Sequence, residues 1–409
     1  MRESFITLMV VMLMASCIRS EAMDPEDDAN PVTEISVVTE PLVVAGSVTR
    51  ADDMGNDAIE DMTVGNRFIN GESLLYISQM GTTINPNFTG NLSDNELYNN
   101  NLYCYVYNEN LSADWNSGYN FKVKEGRAPI GWGDIKKRGS VGNAFSLYAL
   151  HFPVENEVRF SVEKNQQDLD NFRKSDIMGA YHATSSLYSR MRFRLYHLMV
   201  YLRVTLYVPD YQAAEADGKS QSTGFPAGAV KNAFLQGVAT DFDITWRVNR
   251  SSDTDAPFVV GSETKTDYVF MYPHASDKDE IKTINVKEFY SQGNIDEDDV
   301  REYNFSVLIP PQVVENDDNK GQFMRFQLLP VGSGTDDAGF DKDNTKLKNY
   351  VFQTSQLMSG SNDIQLTQGS LSHLKLYLPR KGNDVILVSA EIINWTEASS
   401  DMTVTKKEK

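Results

Sequence analysis

The longest regular pattern in this chain is an alternation of apolar and other residues over positions 191–208, which read MRFRLYHLMVYLRVTLYV. The even positions from Tyr196 to Val208 are almost all apolar, whereas the odd positions include His197 and Arg203. A period of two residues indicates a β-strand with one buried face and one partly covered face. The charged residues exclude a membrane-spanning helix, and an extended segment of this length reaches roughly 55–60 Å. The sequence therefore predicts one long strand at the centre of a sheet.

Shorter runs of the same kind recur along the chain, with connections rich in Gly, Asn, Asp and Ser. Many short strands with such connections favour a β-sandwich over an α/β enzyme fold. Residues 371–378 and 384–393 enclose the turn Pro-Arg-Lys-Gly-Asn, which predicts a β-hairpin. Helical patterns are confined to residues 163–177 and 345–358. The remaining predicted strands cover residues 73–78, 101–107, 144–151, 157–162, 241–248, 267–272 and 302–309.

The N-terminus has the pattern of an export signal. Arg2 gives a positive start, residues 5–13 are almost all apolar, and small residues directly precede Cys17. The apolar run is far shorter than the ~20 residues of a membrane-spanning helix. A cysteine in this position is what lipoprotein processing requires, so we predict a signal peptide over residues 1–16 and a lipid (palmitate) on Cys17; an ordinary signal peptide with an incidental cysteine is the alternative. Cys104 is the only other cysteine, so a lipidated chain forms no intramolecular disulfide.

The charge balance and the missing motifs limit the classes of function. The chain has 57 acidic and 38 basic residues and a formal charge of −19, which argues against nucleic-acid binding. Its five histidines are scattered without a metal-ligand spacing, and no G-x-S-x-G occurs. The acidic run at residues 296–299 is interpreted as a solvated loop that could at most hold a cation weakly. We therefore predict no catalytic residue, no metal site, no cofactor and no enzymatic activity.

Tyrosine and asparagine alternate within residues 92–110. An aromatic face can stack on sugar C–H groups while side-chain amides bind the hydroxyls, so this composition suits glycan or protein recognition. Tyr103, Tyr105 and Tyr107 are the candidate ligand-contact residues. The simpler interpretation, an ordinary strand with a row of tyrosines, stays open.

Six segments carry a resemblance to a known family: residues 67–76 (RFINGESLLY), 145–153 (FSLYALHFP), 176–180 (DIMGA) with 193–202 (FRLYHLMVYL), 306–312 (SVLIPPQ) and 392–395 (IINW). In this order they resemble motifs of the fimbrillin family, the FimA/Mfa-like subunits of type V fimbriae. The family's most distinctive stretch combines "D-L-hydrophobic-x-A" with "F-x-H-L-M-A-K-L". In this chain Val200 and Tyr201 replace the small and basic residues after Leu-Met.

The resemblance implies an all-β fold of two tandem transthyretin-like β-sandwich domains with few short helices. It also implies an outer membrane lipoprotein precursor that an arginine-specific protease cuts once near its N-terminus. Removal of the first strand then opens a groove that a neighbouring fimbrial subunit fills by strand exchange. Here residues 35–48 form a strand-like run that the polar sequence around Arg50 follows. We therefore predict a propeptide over residues 17–50 with processing at Arg50, an N-terminal sandwich over 51–210 and a C-terminal sandwich over 211–409.

The function expected from this resemblance is that of a structural or adhesive subunit of a cell-surface fimbrium, contributing to cell adhesion and biofilm formation. Only 14 residues follow Trp395, which is a short donor segment and favours a tip position over a stalk position. The expected partners are other fimbrial subunits, and the precursor's lipid would bind the outer membrane. The adhesion ligand on a host or bacterial surface stays open. The alternative is a lipid-anchored surface glycan-binding protein.

Overall fold

The computed structural model describes residues 36–39, 68–80, 103–109, 119–127, 145–152, 161–184, 190–193, 195–212, 223–246, 258–262, 267–274, 280–290, 296–315, 322–329, 346–357, 363–394 and 401–402. Within these ranges the chain forms 23 strands, a single α-helix, α1 (Leu169–Lys174), and a 3-10 helix at Thr354–Gln356. The predicted all-β class is therefore confirmed. The division into two tandem domains stays a prediction.

The first eight strands form one sheet, in the order β7-β1-β4-β3-β2-β5-β6-β8. All paired neighbours are antiparallel except β1 and β7, which are parallel. The two end strands, β7 and β8, are separated by only residues 194 and 195, so the sheet curls until its ends lie close together. Its strands are β1 (Ser36–Thr39), β2 (Leu74–Met80), β3 (Tyr103–Tyr107), β4 (Tyr119–Val123), β5 (Phe145–Phe152), β6 (Met178–Thr184), β7 (Arg190–Phe193) and β8 (Tyr196–His197).

The later strands form two larger and two smaller sheets. The seven-stranded sheet has the order β14-β16-β9-β21-β22-β23, and β15 also pairs with β16. Its strands are β9 (Val200–Pro209), β14 (Tyr272–Pro273), β15 (Lys282–Asn285), β16 (Glu297–Ile309), β21 (Ser370–Tyr377), β22 (Ile386–Asn394) and β23 (Asp401–Met402).

The four-stranded sheet has the order β13-β10-β18-β19. Its strands are β10 (Val230–Val238), β13 (Asp267–Phe270), β18 (Gln322–Leu328) and β19 (Lys348–Gln353). Two antiparallel pairs complete the set, β11 (Phe242–Trp246) with β12 (Phe258–Ser262) and β17 (Gln312–Glu315) with β20 (Asp363–Leu366).

The seven-stranded and four-stranded sheets share one hydrophobic core. The even-numbered side chains of β9 from Val200 to Val208 are all buried in it, together with apolar residues of β16, β10 and β18. Phe305 and Phe326 meet across the two sheets with ring centroids 6.1 Å apart. This half of the chain is thus a β-sandwich, as the alternation predicted. The odd positions of β9 are buried as well, apart from the half-buried Tyr207, and Arg203 is only 3% exposed.

A segment between β5 and β6 packs against this second half of the chain. Gln166 is fully buried, and its amide donates to Leu308 O at 2.7 Å and accepts from Leu308 N at 2.9 Å. Phe172 of α1 packs against the rings of Tyr201 and Tyr272, at 5.9 and 5.4 Å. The helix begins at Asp168, whose carboxylate accepts from two backbone N–H groups of the first turn.

The predicted long strand at 191–208 is wrong as a single element. The chain forms β7, β8 and β9 there, and it passes from the first sheet to the seven-stranded sheet between His197 and Val200. His197 Nδ1 lies 2.8 Å from Asp176 Oδ1, and Leu198 N donates to Ile177 O at 2.9 Å. These contacts divert the chain, although both sides of the break are apolar and buried. The sheet change precedes the predicted division near residue 210.

Other expectations had mixed outcomes. The predicted helix at 345–358 is wrong, because Tyr350 and Phe352 of β19 alternate into the core as strand residues do. The helix predicted at 163–177 is limited to α1. The hairpin is confirmed by the pairing of β21 with β22. The acidic run at 296–299 is not simply solvated, since Asp298 is 4% exposed and bound by Arg380. The strand predicted at 157–162 falls mostly outside the described residues.

Candidate functional site

The first described strand, β1, lies inside the first sheet rather than at its edge. β1 pairs antiparallel with β4 and parallel with β7, so that Val37 lies opposite Phe121 on one side and Met191 on the other. It belongs to the run 35–48 that the sequence predicted to be strand-forming. Cys17 and Arg50, the predicted lipidation and processing residues, lie outside the described residues. The segment predicted as a propeptide therefore contributes an interior strand.

The pairing of β1 joins two strands that have no other connection to each other. β7 pairs with no further strand among the described elements, and β4 pairs otherwise only with β3. Three residues of β1 pair with β4 and four with β7. Without β1, the N–H and C=O groups that these strands direct toward it would lose their partners. The position of β1 is therefore a potential groove with a hydrogen-bonding strand on each side.

An aromatic cluster lies beside this position. Phe121, the residue of β4 opposite Val37, has its ring centroid 5.4 Å from Phe68 and 5.8 Å from Tyr107. Phe68 and Phe121 are about 5% and 4% exposed. Phe68 comes from the segment RFINGESLLY that carries the first part of the family resemblance. The strand next to β1 thus contributes a buried ring to the core that β1 borders.

The structure places the three candidate tyrosines on β3, in the sheet interior. Tyr105 is 1% exposed, so its ring fills the core, while Tyr107 is half-buried within the aromatic cluster. The pKa of Tyr107 is raised, mainly by burial and further by Glu109. The side chain of Tyr103 lies outside the described part. Cys104, between them, is also buried, and burial raises its pKa. These positions favour the interpretation of an ordinary tyrosine-rich strand.

Two residues from separate family-like segments meet in the core. Asp176 begins the DIMGA segment and His197 lies in FRLYHLMVYL. Their side chains are hydrogen-bonded at 2.8 Å and are 0% and 5% exposed. Sequence reasoning found both segments but not their contact, because the two residues are 21 positions apart and lie on different strands or loops. The contact connects the last strand of the first sheet to the loop before β6.

Groups that could serve catalysis or metal binding were sought in the described part of the chain. No cluster of three or more His, Cys, Asp or Glu side chains there has the spacing to hold a metal ion. Among the same residues, no helix is long and apolar enough to cross a membrane. The buried polar groups instead form structural pairs such as Arg380 with Asp298.

No family model matches this sequence, and no curated protein matches it either. Solved structures do match it. A proposed cell adhesion protein of Bacteroides uniformis is 12% identical, with a TM-score of 0.43 over 91% of this chain and 100% of that chain. A second such protein, from Bacteroides ovatus, is 12% identical, with a TM-score of 0.46 over 90% of this chain and 99% of that chain. The tip fimbrial protein Mfa3 of Porphyromonas gingivalis is 7% identical, with a TM-score of 0.36 over 88% of this chain and 100% of that chain. Two of these neighbours are proposed cell adhesion proteins, and the third is a tip fimbrial protein.

Proposed function

We propose that this protein is a structural or adhesive subunit of a cell-surface fimbrium that assembles by strand exchange. The observation that carries the proposal is the place of β1, which is the first described strand of the chain and lies between β4 and β7. A strand in this place can be removed by one cut that follows it in sequence. Its removal leaves a groove bounded by two strands, which an extended segment of another subunit can fill.

The energetics of the sheet favour such an exchange. Loss of β1 would leave backbone groups of β4 and β7 without partners, and each buried unpaired group costs about 1–3 kcal/mol. The cluster of Phe68, Tyr107 and Phe121 would lose the strand beside it. A donated strand restores the hydrogen bonds and covers the same core. The processed subunit would therefore gain stability by binding a neighbour.

The predicted processing site suits this arrangement. Arg50 follows the last residue of β1, Thr39, by 11 positions, which an extended chain spans in about 35–40 Å. Cleavage after Arg50 would release the lipid-bearing Cys17 together with β1. In this proposal the lipid carries the precursor to the outer membrane, and the mature subunit leaves the lipid behind when it enters the fimbrium.

The test is limited proteolysis of the full mature precursor, residues 17–409, with an arginine-specific protease. We expect one early cut after Arg50, identified by intact mass, followed by loss of the peptide that contains β1. Ordered polymers or subunit complexes should then appear in electron micrographs and in sedimentation. A stable processed monomer that never associates would contradict the proposal.

Matched variants separate processing from unspecific cleavage. Arg50→Lys keeps the positive charge but removes the site for an arginine-specific protease, so both peptide loss and association should stop. Arg19→Lys, in the same N-terminal segment, should leave both unchanged. Association of the Arg50→Lys protein at the wild-type rate would refute cleavage at Arg50 as the trigger.

A further inference from the structure

The outer face of the four-stranded sheet carries many side-chain amides and aromatic rings. This face, defined by the outward residues of β13, β10, β18 and β19, is opposite to the hydrophobic core that the sheet shares with β9 and β16. The strand registers place its residues in three parallel rows across the sheet. We call it the amide face.

The first row is a continuous chain of amides. Gln167 donates to Asn232 at 3.1 Å, Asn232 donates to Gln327 at 2.8 Å, and Gln327 donates to Asn349 at 3.1 Å. Each side-chain amide has two N–H donors and an oxygen with two lone pairs. The two inner amides use one donor and one acceptor site in the row, so each retains a further donor and acceptor site. Asn349, at the end of the row, is exposed.

The middle row is aromatic and cationic. The ring of Phe234 lies between Phe270, at 5.3 Å, and Arg325, whose guanidinium carbon is 6.0 Å from the ring centroid. Phe234 itself is 6% exposed, whereas Tyr268, at 5.8 Å from it, is 53% exposed. Tyr268 therefore presents an aromatic surface at the edge of the face.

The third row again consists of amides beside Tyr268. Gln236 is paired in register with Tyr268 and donates to Gln322 at 3.2 Å. Gln322 also accepts from Arg325 at 2.8 Å and is in register with Gln353 of β19. Two rows of amides thus flank one row of aromatic rings, with hydrogen bonds that hold the amides in fixed positions.

The charge of this face differs from that of the whole chain. The chain has 57 acidic residues, but no outward position in the described parts of these four strands is Asp or Glu. Arg325, in the middle row, is engaged with Gln322 and Phe234. The exposed Lys231 of β10 and Asp384, which is in register with Val351 of β19, add one charge of each sign at the borders of the face. Neither a cationic nor a strongly anionic partner finds a complementary surface here. A neutral ligand with many hydroxyl groups does, because amides bind hydroxyls and an exposed ring stacks on C–H groups.

We propose that the amide face is a binding platform for neutral polysaccharide. Tyr268 provides the stacking surface, and Asn349 and Gln327 provide the donors and acceptors for hydroxyl groups. The platform is separate from the three tyrosines of β3 and from the groove around β1. It goes beyond the fimbrial assembly proposed above and does not depend on processing, so unprocessed monomer should bind.

The test is affinity electrophoresis of the unprocessed mature chain in gels that contain yeast mannan, xyloglucan or starch, with heparin and polygalacturonate as acidic controls. We expect retardation by at least one neutral polysaccharide and by neither acidic one. Tyr268→Ala should weaken binding between about twofold and tenfold, the range for one aromatic contact. Asn349→Ala, at an exposed position, should weaken it as well.

The matched control is Ile281→Ala, because Ile281 is, among the described residues, the other large apolar side chain that is strongly exposed, at 47%, and lies beside β15 of the other sheet. It should bind as the wild type does, and thermal unfolding should show that all three variants are folded. Absence of retardation by every neutral polysaccharide would overturn the proposal. So would wild-type binding by both Tyr268→Ala and Asn349→Ala, or a self-association of the chain that Tyr268→Ala abolishes.

Discussion

The buried ion pair between Arg380 and Asp298 offers a sharp test of how the second half of the chain is stabilised. Arg380 donates to Asp298 from Nη2 at 2.7 Å and from Nε at 2.9 Å, and the Tyr377 hydroxyl donates to the same carboxylate at 2.7 Å. The two charged side chains are 7% and 3% exposed. Arg380 also donates to Asp210 O at 2.9 Å. We predict that Asp298→Asn is strongly destabilising.

The expected loss of stability can be derived from the burial of the Arg380–Asp298 pair. Removing one partner of a buried pair leaves the other charge without compensation and costs about 3–5 kcal/mol. Asn keeps the size of the side chain, so the loss reports charge and hydrogen bonding rather than a cavity. For a unit of 150–250 residues this corresponds to a fall in Tm of about 6–20 °C. Asp298 also raises the pKa of Tyr377, although burial is the larger cause.

The measurement is differential scanning calorimetry of the full chain at neutral pH. The matched control is Asp296→Asn, the same substitution two positions earlier, where the carboxylate is 71% exposed and pairs with an exposed lysine. Its Tm should not change measurably, because exposed pairs contribute little. If Asp298→Asn lowers Tm no more than Asp296→Asn does, the assignment of a stabilising buried network is refuted.

Three further predictions concern other buried groups. Burial, followed by the charges of Arg203 and Lys375, lowers the pKa of His373 from 6.5 to about 3. As the pH falls, the imidazole of His373 is therefore protonated in the unfolded chain before it is protonated in the folded chain. The free energy of unfolding should fall between about pH 6.5 and 3 by up to about 1.4 kcal/mol per pH unit. In urea denaturation at several pH values, His373→Gln should flatten this slope; an unchanged slope would contradict the assignment. Asp176→Ala removes the buried carboxylate that His197 contacts and should lower the free energy of unfolding by about 1–3 kcal/mol. An unaltered denaturation midpoint would argue against a stabilising role of this contact. Gly224 has a φ of +76°, and a Cβ there would collide with the backbone of Asp210, so Gly224→Ala should lower Tm by several degrees or prevent folding; a Tm equal to that of the wild type would be inconsistent with the backbone described.

Local signals in the sequence predicted the local structure. The hairpin of β21 and β22 was predictable because its turn and both alternating runs lie within one short stretch. The break between β8 and β9 was not, since it depends on the contact of His197 with Asp176, which comes from an earlier segment. The same holds for Asp298, whose acidic neighbours suggest exposure while its partner Arg380 is 82 positions away.

The candidate sites, too, depend on contacts between distant segments that the sequence does not reveal. The strand-forming run at 35–48 predicted that β1 exists, but its parallel pairing with residues 190–193 is set by the tertiary fold. The amide face was not found from the sequence, because its members are Gln and Asn residues spread from position 167 to 353. Single amides on alternating strands are common surface residues, and only the registers of four strands bring these into rows.

The geometry around β1 restricts any strand that could replace it. Because β1 is antiparallel to β4 and parallel to β7, these two neighbours run in opposite directions, and a replacement must run parallel to one of them and antiparallel to the other. Among the described residues, β1 pairs over three residues with β4 and four with β7. Since the stability of a ladder grows with the number of paired residues, a longer incoming strand of the same direction would be held more firmly than β1. Under the proposed assembly, β1 would cover the groove in the precursor, and a longer strand of a neighbour would hold the subunits of the fibre together more firmly.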